Sequence, residues 1–329
     1  MPLVLRVNGN IWRSHLQSII ASHPGLVPVI KGNGYGFGIE FLAAEANRLG
    51  VETIAVGLAS EISRARSAFT GEVIVLSPDS SEFETSDSKV IQTVCSLESL
   101  RSIDTRLSII LEILTPLNRH GISIHELNIA LSIINERNIL LRGFALHLPI
   151  ADIEGEWLRK VLRTLPEGST IWISHLHDAP SIRKEFPHLN FHERIGTSLW
   201  LGAASALEVR ATVLENRTIG STAGYRQRKV RGNLIVVSGG TAHGIGLSAP
   251  QGDRRLMGRI KILARAIESA LGKLRSPFSW RGKPLYFLET PHMQCSLLLH
   301  KGSDQPRPGD ELEVRVRYTT TTFDQVIIH

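Results

Sequence analysis

Lys31 closes an apolar run, VPVIK, and is followed by glycines at 32, 34, 36 and 38 with Asn33 and Tyr35 between them. A run with that β-branched content reads as a buried strand, so the lysine stands where a central strand opens into a loop. Glycines spaced by two do not make the G-x-G-x-x-G dinucleotide fingerprint. A P-loop would put its lysine after the glycines and a Ser or Thr next. Taken alone, Lys31 is either a solvated lysine before a flexible turn or a desolvated amine of lowered pKa that forms a Schiff base with a carbonyl.

The elements that must position it are legible as a recurrence. Short apolar stretches follow one another as VPVIK, TIAVG, EVIVLS, IQTVCS, LSIILEI, LRGFALHL, STIWISHL and FHERIGT. Between them lie helical patterns such as IEFLAAEANRLG and ADIEGEWLRKVLRTL, with apolar residues at helical spacing. Eight strands alternating with helices over about 200 residues predict an α/β fold, a (β/α)8 TIM-like barrel. The fourth unit is the weakest, its short strand preceded by the polar stretch SPDSSEFETSDSKV. From about residue 210 the texture turns to strands and turn signals, ATVLENRTI, NLIVVSGG, KPLYFLE, CSLLLH and ELEVRVRY, which predicts an all-β C-terminal domain. One helix, RRLMGRIKILARAIESALG, interrupts it. The expected division is 1–209 for the barrel and 210–329 for the β domain, with the first strand free to pack with the latter.

In such a barrel, chemistry gathers at the C-terminal ends of the strands. Lys31, Arg119, His147, His175 and Arg194 all fall at or just beyond strand ends. Any one histidine here could be structural. Five cationic or titratable groups facing one mouth call for anions, a phosphate and a carboxylate.

Composition narrows the rest. With 329 residues, 42% of them apolar, the chain can bury a large core. Apolar stretches stay short of the ~18 residues a membrane span needs, and MPLVLRVNGNIWRS lacks the pattern of a signal peptide, so a cytoplasmic protein is expected. Cys95 and Cys295 suggest neither a disulfide framework nor a zinc site, and no metal is expected. The net charge of +6 is scattered, and its one cluster, RQRKVR, has no interleaved aromatics, which speaks against nucleic acid and for a small anionic ligand.

These residues together resemble the alanine racemase family, nearly end to end. VIKGNGYGFG looks like its signature around the lysine that bonds pyridoxal 5′-phosphate (PLP), and RVNGNIWRSHLQSI resembles the lead-in. LTPLNRHGI, LRGFALHLPIAD and ERIGTSLWLG resemble the segments bearing the substrate-carboxylate arginine, a histidine beside the cofactor and the arginine facing the pyridine nitrogen. AGYRQRK and PHMQCSLLL resemble the stretches with the catalytic tyrosine and a substrate-contacting methionine. The resemblance implies a PLP-dependent amino-acid racemase in which Lys31 and Tyr225 exchange the Cα proton from opposite faces. It implies that His147 lies beside the cofactor, that His175 orients Arg194 at the ring nitrogen, and that Tyr35 with the backbone of Gly196 and Thr197 holds the phosphate. Arg119 and Met293 would meet the amino acid, and a homodimer would share its active sites.

The departures matter too. Glu112 stands where many members carry a carbamylated lysine, and it is expected to supply the same negative charge to Arg119. Asp178, Ala179 and Pro180 replace a phosphate-binding NSA, Thr241 replaces a gate tyrosine, and Gln294 replaces an aspartate. Thr241, His243 and Gln294 are expected to offer hydrogen bonds to a larger substrate side chain. The last stretch, VRVRYTTTTFDQVIIH, reads as lacking the family's closing helix and strands, with Tyr318 the nearest counterpart of a further phosphate tyrosine. Two alternatives stay open: a non-catalytic PLP-binding protein of the same fold, and a PLP-dependent decarboxylase or aldolase.

Overall fold

The computed structural model describes residues 2–78, 87–151, 155–247, 260, 262–263 and 274–329. The chain forms two compact units, Arg13–Gly202 and Met1–Trp12 with Ala203–His329. It opens with strand β1 (Leu3–Val7), which belongs to the second of these, and continues into helix α1 (Gly9–Ser22).

The unit Arg13–Gly202 is a barrel of eight parallel strands: β2 (Val27–Pro28), β3 (Thr53–Val56), β4 (Glu72–Val75), β5 (Val90–Val94), β6 (Ser108–Ile113), β7 (Leu140–His147), β8 (Thr170–Ser174) and β9 (Asn190–Ile195). Each coincides with one of the eight apolar runs. Helices α2 (Ile39–Arg48), α3 (Ile62–Arg66), α4 (Leu97–Ser102), α5 (Leu127–Glu136), α6 (Gly155–Leu162), α7 (Ala179–Glu185) and α8 (Thr197–Leu201) alternate with them, except between β4 and β5, where no helix falls among the described residues. The sheet runs β2-β9-β8-β7-β6-β5-β4-β3. A bridge between Val29 and Ala55 joins its two ends, and the Ile30 N–H donates to the Ala55 carbonyl at 2.9 Å. The outward strand residues, among them Leu111, Phe144, Ile171 and Phe191, pack with the helices in one large core. The inward residues Val27, Val29, Ala55, Ile74, Ile110, Ala145 and Trp172 fill the barrel as a second, smaller core. This two-sided burial is why the strands read as nearly continuous apolar runs. The polar stretch before the fourth unit falls largely on 79–86, outside the described residues.

The other unit is antiparallel except at its edge. It contains β10 (Leu207–Ile219), β11 (Thr222–Ala223), β12 (Arg228–Lys229), β13 (Gly232–Ser238), β14 (Leu274–Trp280), β15 (Lys283–Phe287), β16 (Cys295–His300), β17 (Glu311–Val314) and β18 (Gln325–Ile328). The order is β13-β16-β15-β14-β17-β10-β1-β18, and β10 also pairs with β13, so six strands close on themselves. β1 runs antiparallel to β10, Leu5 opposite Val209. β18 runs parallel to β1, Val4 opposite Gln325, so a closing strand is present where the sequence reads as lacking one. β18 is only four residues long, with Gln325 and Ile327 exposed and Val326 and Ile328 half-buried, too short a run to announce an edge strand by itself. The expected helix RRLMGRIKILARAIESALG lies outside the described residues, Ile260, Ile262 and Leu263 apart. Among the described residues no helix is long and apolar enough to cross a membrane.

Candidate active site

Beyond β2 the chain leaves the barrel through Lys31 into a tight loop. Gly32, Gly34, Gly36 and Gly38 all have positive φ, between 58° and 93°, a region closed to most side chains and open to glycine. Tyr35 sits there as well, at φ 54°, with its ring buried. A tyrosine is held in that conformation only where its surroundings fix it. One such constraint is Glu61, a buried carboxylate just after β3 that sequence reasoning missed. It accepts from the N–H groups of Gly32 at 2.9 Å, Gly57 at 2.7 Å and Leu58 at 3.3 Å, tying the lysine loop to the loop after β3. Its only sequence signal is an acid shortly after a strand, which a helix start would explain as well.

The inward alternation of the barrel core continues toward the C-terminal mouth. Two residues beyond the inward Val29, Ile110, Ala145 and His192 stand Lys31, Glu112, His147 and Arg194. Four strands thus aim one ionisable group each at the same end. Lys31 keeps contact with solvent, yet its ammonium is disfavoured, first by its protein surroundings and then by Arg119 and Arg194, with Glu61 opposing. Arg194 is fully enclosed. Burial pushes its guanidinium down to about 10 against the pull of Glu112, so it remains cationic at neutral pH. One Nη donates to the Leu146 carbonyl at 3.2 Å, while its Nε, shielded from solvent, has no acceptor among the described residues. Burial pushes the Glu112 carboxyl up, and Arg194, Arg119 and His120 pull it back. Glu112 therefore acts on Arg119 through space, without a direct ion pair among the described residues.

The histidines are neutral by construction. Burial, then Arg119 and Arg194, take His147 down to about 3. His175, at φ 62°, meets it edge-on with ring centroids 5.3 Å apart, and is itself held low by burial, His177, Arg194 and Lys31. Thr115 anchors the rim by donating to the His147 carbonyl at 2.6 Å. Just past the neighbouring strand β9, the Tyr35 phenol packs onto Gly196 so closely that a Cβ there would lie 1.9 Å from its oxygen. Burial pushes this phenol up to about 12, tempered by a hydrogen bond with Thr197. Asp178 caps α7 by accepting from the Ser181 N–H at 3.4 Å, with Ala179 and Pro180 opening that helix. The structure thus brings Lys31, Tyr35, Arg119, His147, His175, Arg194, Gly196 and Thr197 to one end of the barrel.

Tyr225, Thr241, Met293 and Gln294 belong to the other unit and cluster within it. Tyr225 is 83% exposed and Met293 73%. The Tyr225 N–H donates to both oxygens of the buried Glu289, at 3.1 and 3.0 Å. Burial raises the Glu289 carboxyl, but hydrogen bonds from His292 and from the N–H groups of Tyr225 and Arg226 outweigh it and hold it below the usual range. His292 bonds Glu289 at 2.9 Å and lays its ring against that of Tyr225, centroids 4.5 Å apart. The Thr241 N–H donates to the His292 carbonyl at 2.8 Å, joining the gate position to the same cluster. Sequence reasoning missed Glu289 and His292, whose only signal is their spacing of three. His243 is a correction: it is buried, accepts from the Gly240 N–H at 3.2 Å and bonds Asp324 at 3.1 Å, so both ring nitrogens are committed and neither is free for a substrate.

Among the described residues no group of three His, Cys, Asp or Glu side chains could hold a metal ion. The fold and this site define a (β/α)8-barrel protein with a basic, lysine-bearing mouth and an appended closed β unit. Residues 8–202 match the family model described as alanine racemase, N-terminal domain, and the chain belongs to that family. It is 27% identical over 177 residues to an alanine racemase of Campylobacter jejuni subsp. doylei, covering 51% of this chain and 52% of the relative. Over 129 residues it is 30% identical to that of Campylobacter concisus, covering 39% and 37%. The aligned part thus spans about half the length of the first relative and less of the second. Among solved structures, alanine racemase from Bartonella henselae with covalently bound pyridoxal phosphate superposes with a TM-score of 0.73 at 15% identity, covering 100% of both chains. Alanine racemase from Bacillus anthracis with bound L-Ala-P gives 0.64 at 16%, covering 95% and 85%.

Proposed function

We propose that this chain is a PLP-dependent amino-acid racemase, with Lys31 as the amine that bonds the cofactor and Tyr225 as the second acid/base. The observation that carries the reading is the pairing of a disfavoured ammonium at Lys31 with a buried cationic Arg194 whose Nε lacks an acceptor. A pyridine nitrogen is an acceptor of the kind Arg194 needs. Tyr35, Thr197 and the Gly196 backbone supply donors for a phosphate, and the lack of a Cβ at Gly196 is what lets the Tyr35 hydroxyl stand against that backbone. PLP therefore fits the residues present.

When bound, PLP withdraws electrons from Cα of an attached amino acid and acidifies its proton. The chain supplies the rest. With its ammonium disfavoured, Lys31 spends more of its time as the nucleophilic amine, and it would take or return the Cα proton on one face. Arg194 keeps its own proton at neutral pH, so it offers the ring nitrogen a hydrogen bond without protonating it. Arg119 receives the substrate carboxylate, with Glu112 moderating the surplus of positive charge. Tyr225 works the opposite face, its backbone fixed by Glu289, in a homodimer with shared sites; Met293 borders the substrate. Arg194 also speaks against the decarboxylase or aldolase reading, because an acid against the ring nitrogen suits that chemistry better.

Borohydride reduction of the cofactor-loaded protein followed by peptide mapping tests the attachment. The adduct should map to Lys31 and vanish in Lys31→Ala; a single-site adduct that persists in the variant refutes the assignment. A chirality assay on a panel of L-amino acids then separates turnover from mere binding, and decarboxylated product would identify the third reading.

A further inference from the structure

The strongest feature unused by the proposed chemistry is a cavity of about 670 Å³ in the unit formed by Met1–Trp12 and Ala203–His329. It lies between the β14–β15 hairpin, β16 and the loop after it. Its apolar lining is Trp280, Tyr286, Phe287 and Leu299, two flat polarisable rings beside a buried phenylalanine. Its polar rim carries Arg281, Lys283, Lys301 and Asp304.

The walls are preformed. Strand pairing places Trp280 opposite Lys283 and Tyr286 opposite Leu299. Arg281 and Gly282 join β14 to β15 at positive φ, 47° and 73°, as a tight two-residue hairpin turn demands. The Arg281 guanidinium lies 5.1 Å from the Trp280 ring centroid and bonds Asp304 at 2.8 Å, so the hairpin tip is tied across to the facing loop. The far end of that loop is held by the buried His300, which bonds the Asp304 carbonyl at 2.9 Å. With both ends pinned, the cleft does not depend on a ligand to open it.

Its charge balance is unequal. Asp304 is neutralised by Arg281, whereas Lys283 and Lys301, both exposed, have no ion-pair partner among the described residues. Two unpaired ammonium groups at the edge of an aromatic cleft match a ligand with a flat ring and a doubly charged anion. A phosphate monoester carries about −1.5 to −2 at neutral pH, where a carboxylate carries one charge. The volume falls inside the roughly 300–1,000 Å³ of ordinary small-ligand sites.

We propose that this cavity is a second ligand site, separate from the barrel mouth, for a heteroaromatic phosphate monoester. The ring lies against Trp280 and Tyr286 and the phosphate between Lys283 and Lys301. Nucleoside monophosphates and vitamin B6 phosphates share this chemistry, and the experiment separates them.

Full-length protein, loaded with PLP, reduced with borohydride and freed of excess cofactor by gel filtration, is titrated calorimetrically with adenosine monophosphate, pyridoxine phosphate, adenosine and inorganic phosphate. At least one of the aromatic phosphates should bind more tightly than about 1 mM, and the tighter identifies the source. Adenosine and inorganic phosphate should each bind at least tenfold more weakly than that ligand. Lys283→Ala/Lys301→Ala should weaken binding at least tenfold and reduce its salt dependence, with thermal stability as control, while Lys31→Ala should leave it unchanged. Trp280→Leu should also weaken it; if that variant does not fold, the lysine pair decides. Absence of binding by both aromatic phosphates, equal binding of adenosine or inorganic phosphate, or indifference to the lysine pair would each overturn the proposal. Loss of binding in Lys31→Ala would place the heat at the barrel mouth and overturn it too. A failed racemase assay leaves these measurements untouched.

Discussion

Gly196→Ala puts the contact between the phosphate-side loop and Tyr35 to a direct test. The new Cβ would fall 1.9 Å from the Tyr35 oxygen and 2.7 Å from the ring carbon that bears it, far inside van der Waals contact, so something must move. Tyr35 has little freedom to yield, with its ring buried and its backbone at φ 54°. Overpacking of this kind costs ~1–3 kcal/mol, which in a unit of this size lowers Tm by about 2–12 °C. Tyr35→Phe removes the nearest atom at the expense of the hydrogen bond with Thr197, a loss of ~0.5–1.5 kcal/mol. The double variant should then be more stable than the sum of the single effects implies, by more than the ~0.5 kcal/mol scatter of independent sites. Urea unfolding of the four proteins measures it, and cofactor affinity measured alongside should fall in Gly196→Ala and partly recover in the double variant. Strict additivity would mean that the two residues do not touch, and the reading of this rim as a phosphate cradle would go with it.

Lys31 should be acylated by an amine-directed reagent ahead of the other lysines near pH 8, because its surroundings, Arg119 and Arg194 disfavour its ammonium; equal rates by mass spectrometry would contradict this. His147, held at about 3, should show no imidazole titration between pH 5 and 9 by NMR. The unfolded chain binds that proton near 6.5 and the fold refuses it, so this contribution is fully present above pH 6.5 and is lost as pH falls toward 3; His147→Asn should flatten that part of the acid limb, and an unchanged limb would exclude His147 as its source. Glu112→Gln should weaken amino-acid affinity, and wild-type activity should be indifferent to bicarbonate; unchanged affinity for every ligand would remove Glu112 from the site. Thr241→Tyr should shift the ratio of kcat/KM values for alanine and serine toward alanine, with a methylene in such a pocket worth ~1–3 kcal/mol; an identical ratio in both proteins would sink the idea of a widened gate.

The barrel was legible because strands buried on both sides leave unbroken β-branched runs, and TIAVG or LSIILEI can hardly be anything else. Its site was legible for the same reason: Lys31, His147 and Arg194 break those runs at the end where a charge needs an explanation. What escaped reading acts through the backbone or through neighbours remote in sequence. Glu61 matters because it binds the N–H of Gly32, and no pattern of side chains announces that. Glu289 and His292 matter through Tyr225, more than 60 positions away, which only folding brings near. His243 was misread because its partner, Asp324, lies 81 residues on. The four-residue β18 went unseen because it is a strand only by its pairing with β1, at the other end of the sequence.

The seam of the barrel carries a consequence for motion. From β3 round to β9 neighbouring strands share several ladder positions, as Ile91 to Val94 do with Ser108 to Leu111, whereas β2 meets β9 at only Val27 and Pro28. β2 is two residues long and meets β3 through the single bridge Val29–Ala55, with the Ile30 amide as its lock. Few bonds must break for this junction to part, so it belongs to the least stable end of the unit's opening spectrum. The amide hydrogen of Ile30 should exchange with solvent sooner than that of Leu111, though both residues are wholly buried. The strand that delivers Lys31 is thus the stave least firmly held. Breathing of the barrel begins beside Lys31 and leaves the opposite wall, where β6 and β7 pair at five positions on the two sides of a bulge, at rest.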